Sequence, residues 1–503
     1  MRIAGSPGVR VPLVRKGEEL VLEGDLPHPG RRSVSPSWWA ARLTAAAALA
    51  LLLAAYWLLV VRTGSHAYLD YVDGYYLYVA HRMVQGATLY SGVMGVQPPG
   101  IYLVGAALFR LHDQLAIIRV YSGVLHCATI LMVAATAWRV SSRRGPGVLA
   151  AALYTLAPYG LIWSRIFDPN PLVTFLSLCS LYALLGDSRR TTFAAGVLGA
   201  LALLTKVWYL PVAVATLIWL VRRRERLAPF LGGLILPLAL AGVLGTIGAG
   251  RDFWQGMLVQ DASPFSGTWF ESSIYHVLAD DWPLLLLGLA GTRWLWRSGG
   301  SRERLLALWG IWSCLVLVAT VKEGTAWPVF QFAEPFLALN AALLLARPAA
   351  LASAHRSWTL RDTTPWIALV LVAFVSLPSA RAASTWPNGG EDRLAAAVRT
   401  AAAPGNLVLA PPFYLYLAGR RGVDRYADIN LWGQQAAKGE PRAVAALAAL
   451  VWSLDKQLVP IVLEDSRVRA LPGVPEALEI YYRQLNIHET LPSDRSVVAW
   501  VPR

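Results

Sequence analysis

The chain has 503 residues, of which 56% are hydrophobic and only 15% charged, with a net charge of +14. This composition excludes a disordered chain, and a charged fraction well below the roughly one quarter of soluble proteins indicates long segments removed from water. The positive excess lies in the N-terminal tail and the short loops between apolar runs, as the positive-inside rule requires, so we expect no nucleic-acid partner.

Residues 1–38 are polar, broken by Pro and Gly, and rich in Arg, and we predict a disordered cytoplasmic tail. The apolar run 43–61 is too long and too far along the chain for a cleaved signal peptide, and no small-residue cleavage site follows it. It is interpreted as an uncleaved anchor that opens a transmembrane domain over 39–380.

Further apolar runs follow, and the cations between them set the orientation. When 98–112, which opens with Pro98-Pro99, is treated as interfacial or re-entrant, every later arginine cluster falls on the cytoplasmic side. The pattern predicts an α-helical polytopic membrane protein with about eleven spans, within a range of ten to thirteen. The runs are 98–112, 117–138, 147–165, 171–186, 192–205, 207–221, 229–249, 283–297, 304–321, 327–346 and 364–380.

The first outer loop, 62–97, carries two acids three residues apart, Asp70 and Asp73. On a helix both carboxylates share one face. The neighbouring Tyr75 and Tyr76 suit a helix lying at the membrane interface. A partly desolvated carboxylate there gains basicity and fits a general base acting on a hydroxyl. The alternative is a pair of solvated loop acids.

Polar groups also interrupt later apolar segments. Asp168, in the turn between two runs, either caps the following helix or acts on a substrate. Lys206 lies within an apolar stretch, where an unpaired lysine costs on the order of 3 kcal/mol, so we interpret it as functional and suited to a lipid phosphate. Glu334, inside another run, needs a partner.

The outer loop 250–282 is rich in aromatic rings, including Trp269, beside His276. Such rings stack on sugars or anchor loops to bilayers. Lys322 and Glu323, in a short outer link, form an ion pair with each other or face a substrate. The sequence shows no Gly-rich nucleotide cradle, metal-ligand histidine cluster or nucleophile elbow, so we expect no nucleotide, metal or other cofactor.

Residues 384–503 differ in composition and period from the rest of the chain. We predict a small extracytoplasmic α/β domain with no catalytic pattern. Its expected helices are 394–402, 443–454 and 475–485, and its expected strands are 407–409, 459–463 and 497–501.

Four motifs, in order, resemble those of the polytopic GT-C glycosyltransferases. The resemblance is to the bacterial group related to protein O-mannosyltransferases and the lipid A aminoarabinose transferase, and it covers about 40–350. Val72 stands where that group has the first acid of a pair, and Gln97 where it has a lysine. The motifs are Val72-Asp73-Gly74-Tyr75-Tyr76 with Leu89-Tyr90 and Gln97-Pro98-Pro99, then Arg165 to Pro171, then Leu204-Thr205-Lys206, then Phe330 to Leu337.

The resemblance implies transfer of a sugar from a polyprenyl-phosphate donor to an acceptor hydroxyl on the extracytoplasmic face, with inversion. Asp73, helped or replaced by Asp70, would be the base, and Asp168 would position the acceptor or the base. The donor phosphate would meet Lys206, Arg165 and the motif position Gln97. The substrate loop residues would be Tyr75, Tyr76, Trp269, His276, Lys322 and Glu323.

Other readings stay open at this point. The acceptor is a protein, a glycolipid or a wall polysaccharide, and the abundance of Arg and Ala indicates a GC-rich bacterium, hence a plasma-membrane location. A transporter or lipid flippase also has many spans and intramembrane charges such as Lys206 and Glu334. A non-enzymatic scaffold that binds envelope polymer is the third alternative.

Overall fold

The structure, a computed structural model, divides into two units, residues 1–46 and 47–503. In the first unit, strand β1 (Arg15–Lys16) pairs antiparallel with β2 (Glu19–Leu20). Most of the tail predicted to be disordered lies outside the described residues. The described residues are 15–16, 19–20, 36–58, 71–112, 115–163, 166–258, 265–322, 325, 327–346, 364–375, 390–426, 429–490 and 496–503.

Helices make up most of the chain up to residue 375, and the predicted helical architecture is confirmed. Two 3₁₀ segments, Cys314–Val321 and Trp327–Phe332, interrupt the series. The helices are α1 Pro36–Tyr56, α2 Tyr71–Val84, α3 Gly100–Leu111, α4 Leu115–Ser141, α5 Arg144–Thr155, α6 Pro158–Trp163, α7 Pro169–Leu184, α8 Arg189–Leu203, α9 Tyr209–Val221, α10 Arg224–Ala249, α11 Arg251–Leu258, α12 Gly267–Asp280, α13 Trp282–Ser298, α14 Ser301–Ser313, α15 Glu334–Leu345 and α16 Thr364–Val375.

Three described helical segments are long and apolar enough to cross a membrane: Leu115–Ser141, Arg224–Ala249 and Ser301–Val321. Several shorter apolar helices accompany them, and the chain is a multi-pass membrane protein. The count of about eleven spans stays a prediction.

Two runs that the sequence suggested were continuous are divided by proline. The run 147–165 separates into α5 and α6 at Pro158, and the run 327–346 separates into a 3₁₀ segment and α15 beside Pro335. Proline has no N–H to donate and disfavours helical backbone in the residue before it. Apolar composition alone therefore overestimated the length of these helices.

Helices α8 and α10 approach each other closely where each carries a glycine. A Cβ added at Gly196 would meet the backbone oxygen of Phe230, and one at Gly233 would meet that of Phe193. Small residues allow this close packing, which is a common way for helices to associate in membranes.

The C-terminal residues combine helices with short strands. Strands β5, β7 and β6 form an antiparallel sheet in that order, and β3 pairs parallel with β4. The predicted helix 475–485 ends at Tyr481, because Tyr482 and Arg483 pair with Pro502 and Val501 of β7. The elements are α17 Gly390–Ala401, β3 Leu407–Val408, α18 Pro412–Ala418, β4 Arg421–Gly422, α19 Ile429–Ala437, α20 Pro441–Asp455, β5 Val462–Glu464, α21 Ser466–Arg469, α22 Val474–Tyr481, β6 Tyr482–Thr490 and β7 Ser496–Pro502.

These C-terminal elements share a hydrophobic core with α2, the helix that carries Asp73. The backbone N–H of Gly422 donates to the Tyr78 hydroxyl at 2.9 Å. A Cβ added at Gly74 would meet Phe413 of α18. The C-terminal residues therefore pack directly on the helix that carries Asp73, and the division of the chain into domains at 380–384 stays a prediction.

Candidate functional site

The site is built around Asp73, whose side chain has no exposed surface. Its Oδ2 accepts a hydrogen bond from Nη2 of Arg119 at 2.6 Å, and its Oδ1 accepts one from the backbone N–H of Phe167 at 2.8 Å. Burial raises the pKa of the Asp73 carboxyl, and the guanidinium of Arg119 opposes that rise. Arg119 was not identified from the sequence, although it is a lone cation near the start of an apolar run.

Asp168 directly follows Phe167, whose backbone N–H donates to Asp73. It is the N-cap of α7, and its Oδ1 accepts from the N–H of Asn170 at 2.6 Å. This position suits Asp because its side chain satisfies a backbone donor that the helix leaves unpaired. Burial also raises the pKa of Asp168, and the ammonium of Lys206 opposes the rise. Capping and electrostatic contact with other charged residues thus coexist at Asp168.

Lys206 reaches this group from the link between α8 and α9. Its ammonium nitrogen lies 4.9 Å from the ring centroid of Trp208, a distance at which a cation is attracted to the ring face. The Trp208 indole N–H donates to Oδ1 of Asn170 at 2.9 Å. Lys206 is buried and interacts electrostatically with Asp168, so the predicted cation and acid do converge.

The segment that begins at Gln97 packs against the same link. The N–H of Gly100 donates to the backbone oxygen of Leu204 at 2.7 Å, and a Cβ at Gly100 would collide with that oxygen and with Thr205. The Gln97 side chain is buried, and its Oε1 accepts no hydrogen bond from the described residues. The two sequence motifs, Gln97 to Gly100 and Leu204 to Lys206, are therefore neighbours in space.

The two tyrosines of the first motif are buried and have structural contacts. The Tyr75 hydroxyl donates to the backbone oxygen of Met94 at 3.0 Å and accepts from Tyr102 at 3.2 Å. The Tyr76 ring packs on the rings of Tyr75 and Tyr102, with centroids 5.3 and 5.7 Å away. Both rings are buried, and the assignment of Tyr75 and Tyr76 to the substrate loop stays a prediction.

The aromatic loop residues make their contacts elsewhere. His276 stacks on Trp327 with ring centroids 3.9 Å apart, and the Lys322 ammonium lies 5.7 Å from the ring centroid of Phe265. Trp269 is 37% exposed. Asp70, Arg165 and Glu323 lie outside the described residues.

The partner that Glu334 requires is the N-terminal backbone of α6. Its Oε1 accepts from the N–H of Tyr159 at 2.9 Å and its Oε2 from that of Gly160 at 2.8 Å. A helix N-terminus offers unpaired N–H groups and favours negative charge. Within the described part of the chain, no group of three or more His, Cys, Asp or Glu side chains is placed to hold a metal ion.

No protein-family model matches the chain, and no curated protein matches it in sequence. Solved structures do match its fold. ArnT from Cupriavidus metallidurans bound to undecaprenyl phosphate has a TM-score of 0.56 at 14% identity, covering 92% of this chain and 98% of that one. The same protein in the apo state has a TM-score of 0.58 at 15% identity, with the same coverage.

The arabinofuranosyltransferase AftD from mycobacteria is also similar, with a TM-score of 0.50 at 18% identity. That match covers 92% of this chain and 41% of AftD. ArnT and AftD are both GT-C glycosyltransferases. The architecture of this chain is thus that of the GT-C fold, as its motifs predicted.

Proposed function

We propose that this chain is an integral-membrane glycosyltransferase that moves a sugar from a polyprenyl-phosphate donor to an acceptor hydroxyl on the extracytoplasmic face, with inversion. One observation carries the proposal: residues 166–170 bring together Asp73, Asp168 and Lys206 from three separate motifs. The fold shared with ArnT, which was solved with undecaprenyl phosphate, supports the choice of donor class.

The reaction needs a base for the acceptor and a cation for the leaving group. The acceptor oxygen attacks the anomeric carbon, the bond from that carbon to the phosphate oxygen breaks, and the acceptor proton passes to a carboxylate. Asp73 is the base in this proposal, and Asp168 orients the acceptor. Because Asp73 has no exposed surface, the acceptor reaches it only after a covering group moves.

The departing polyprenyl phosphate is an anion and requires compensating charge more than a proton. Lys206 supplies that charge, and Arg165 adds to it. Gln97 contributes a neutral amide at the position where related enzymes carry a lysine. We expect no cofactor or metal, since the proposed leaving group has a single phosphate that these side chains neutralise.

The expected partners are a lipid-linked sugar, membrane lipids and an acceptor that is a protein, a glycolipid or a wall polysaccharide. We expect the chain in a bacterial plasma membrane with a cytoplasmic N-terminus. Glu334, one of the intramembrane charges that the transporter alternative cites, accepts two backbone hydrogen bonds, and the transfer assay decides between the two functions.

The test is transfer of radiolabelled sugar from a panel of polyprenyl-phosphate sugars in membranes that contain the full chain. Asp73→Asn and Lys206→Met should each lower transfer by about a hundredfold or more at normal expression. Asp187→Asn is the matched control, because that acid is 80% exposed and pairs with Arg302 at the surface. Full activity in both site variants would refute the assigned roles, and a wild type that uses no donor would favour transport or scaffolding.

A further inference from the structure

An apolar groove of about 430 Å³ lies between α13 and α14, close to the Gly299-Gly300 turn that joins them. Its walls are formed by Leu289 and Trp296 from α13 and by Leu308 and Ile311 from α14. Ala307, which is small and buried, leaves room between the two walls. The groove lies on an exposed apolar surface that includes Leu289, Trp296 and Ile311, and Ser301–Val321 is long and apolar enough to cross a membrane.

Two arginines, Arg293 and Arg297, complete the lining of this groove. They are four residues apart on α13, so both guanidinium groups share one face of the helix. Both side chains are exposed, and neither pairs with a carboxylate within the described ranges. By contrast, Arg302, just past the turn, is paired with Asp187 at 2.7 Å.

The order of side chains along α13 matches the layers of one membrane leaflet. Leu289 lies two turns, about 12 Å, from Arg297. Trp296, 53% exposed, is the kind of amphipathic ring that settles at the level of lipid headgroups. The groove is thus an apolar slot that the stems of Arg293 and Arg297 help to line, and neither guanidinium pairs with a carboxylate in the described part of the chain.

We propose that this groove binds an anionic phospholipid, with an acyl chain between α13 and α14 and the phosphate at Arg293 and Arg297. Basic pockets between transmembrane helices bind anionic headgroups through this combination of charge and apolar wall. A free phosphate would gain nothing from the apolar walls, and a zwitterionic lipid would gain less from the two cations. The site is separate from the one proposed for sugar transfer and does not depend on it.

The test measures lipid retained by the purified full-length chain in native mass spectrometry, from mixed micelles holding dioleoylphosphatidylglycerol or dioleoylphosphatidylcholine. The wild type should retain the phosphatidylglycerol preferentially. Arg293→Gln with Arg297→Gln should lower that retention by about tenfold or more. Arg302→Gln, whose arginine is already paired, should retain lipid like the wild type.

A second pair of variants tests the slot itself. Ile311→Trp keeps both arginines but fills the groove, and it should also lose the phosphatidylglycerol. Leu315→Trp, at an exposed position one turn further along, should not. Thermal unfolding in dioleoylphosphatidylcholine alone checks that each variant folds. If the double arginine variant fails to fold, Ile311→Trp decides whether the groove binds the lipid.

Three results would overturn the proposal. One is equal retention of both lipids by the wild type. Another is that Ile311→Trp retains as much phosphatidylglycerol as the wild type does. The third is displacement of that lipid by inorganic phosphate, which would identify a simple anion site in place of a lipid site.

Discussion

Arg119 and Asp73 form a buried ion pair, with Nη2 of the guanidinium 2.6 Å from Oδ2 of the carboxylate. The arginine comes from the start of α4 and the aspartate from the first turn of α2. Because the same carboxylate also accepts from Phe167, the pair ties two helices to the segment that leads into Asp168. The proposed base is therefore held in place by a cation that lowers its proton affinity.

Arg119 should control the pH range of sugar transfer. Asp73, the proposed base, can accept a proton only when ionised, so activity should fall as pH drops through its pKa. Arg119→Gln removes the charge that lowers this pKa, and the acidic limb of kcat/KM should move to higher pH by at least about one pH unit. Arg119→Lys keeps the charge and should leave the limb near its original place. Coincident limbs for wild type and Arg119→Gln would show that a different group titrates.

Trp208 should matter for donor binding through its hydrogen bond to Asn170. Trp208→Phe keeps a ring beside Lys206 but removes the indole donor, so the lysine is less well positioned. We expect the KM for the lipid donor to rise about fivefold with little change in kcat. Trp219→Phe is the matched control, because the Trp219 indole donates to the backbone oxygen of Ser301 and not to a residue of the candidate site. An unchanged KM in Trp208→Phe would remove this residue from the donor site.

Glu334 should contribute to stability more than to chemistry. Glu334→Ala leaves the N–H groups of Tyr159 and Gly160 buried without an acceptor, at a cost of about 1–3 kcal/mol each. Glu334→Gln retains one carbonyl acceptor and should lose less. Thermal unfolding in detergent micelles should rank wild type, Glu334→Gln and Glu334→Ala in descending order, and an alanine variant as stable as the wild type would contradict the assignment.

Asp281 should be a source of instability. Both of its carboxylate oxygens are buried and accept no hydrogen bond from the described residues. Asp281 is the N-cap of α13, and an N-cap carboxylate normally accepts from the N–H two or three residues later. Two residues later stands Pro283, which has no N–H. Asp281 also interacts electrostatically with Glu334 and Asp280. Asp281→Asn removes the acid that would have to ionise beside Glu334 and Asp280 and should raise the unfolding temperature, whereas a fall would reveal a partner that the acid needs.

Asp252 connects α11 to the C-terminal elements through Arg425, at 3.1 Å, and Arg442. The Arg425 side chain is 19% exposed and that of Arg442 is 58% exposed. Arg442→Gln should therefore cost no more than about 1 kcal/mol of stability, as exposed pairs do. Arg425→Gln should cost more, because it leaves Asp252 half-paired in a largely buried place. Equal unfolding temperatures for the two variants would contradict this ranking.

The sequence by itself determined the membrane class and most of the helices, and it singled out the acids and the cation of the candidate site. Apolar periodicity is a local property, so it can be read without knowing the fold, although it missed the breaks beside Pro158 and Pro335. Lys206 stood out because charge in an apolar context is costly, whereas Asp73 and Asp168 stood out through spacing and motif resemblance. The structure brings all three to residues 166–170. The motifs also predicted the GT-C fold.

Only the tertiary structure decided which group meets which. Arg119 is 46 positions from Asp73, the donors to Glu334 are 175 and 174 positions from it, and Gly422 is 344 positions from Tyr78. Tyr75 and Tyr76 lie buried in a core shared with the C-terminal elements, and their role at a substrate stays a prediction. A buried charge must find a partner, but the choice among distant partners depends on how the helices pack, and no local pattern records that choice.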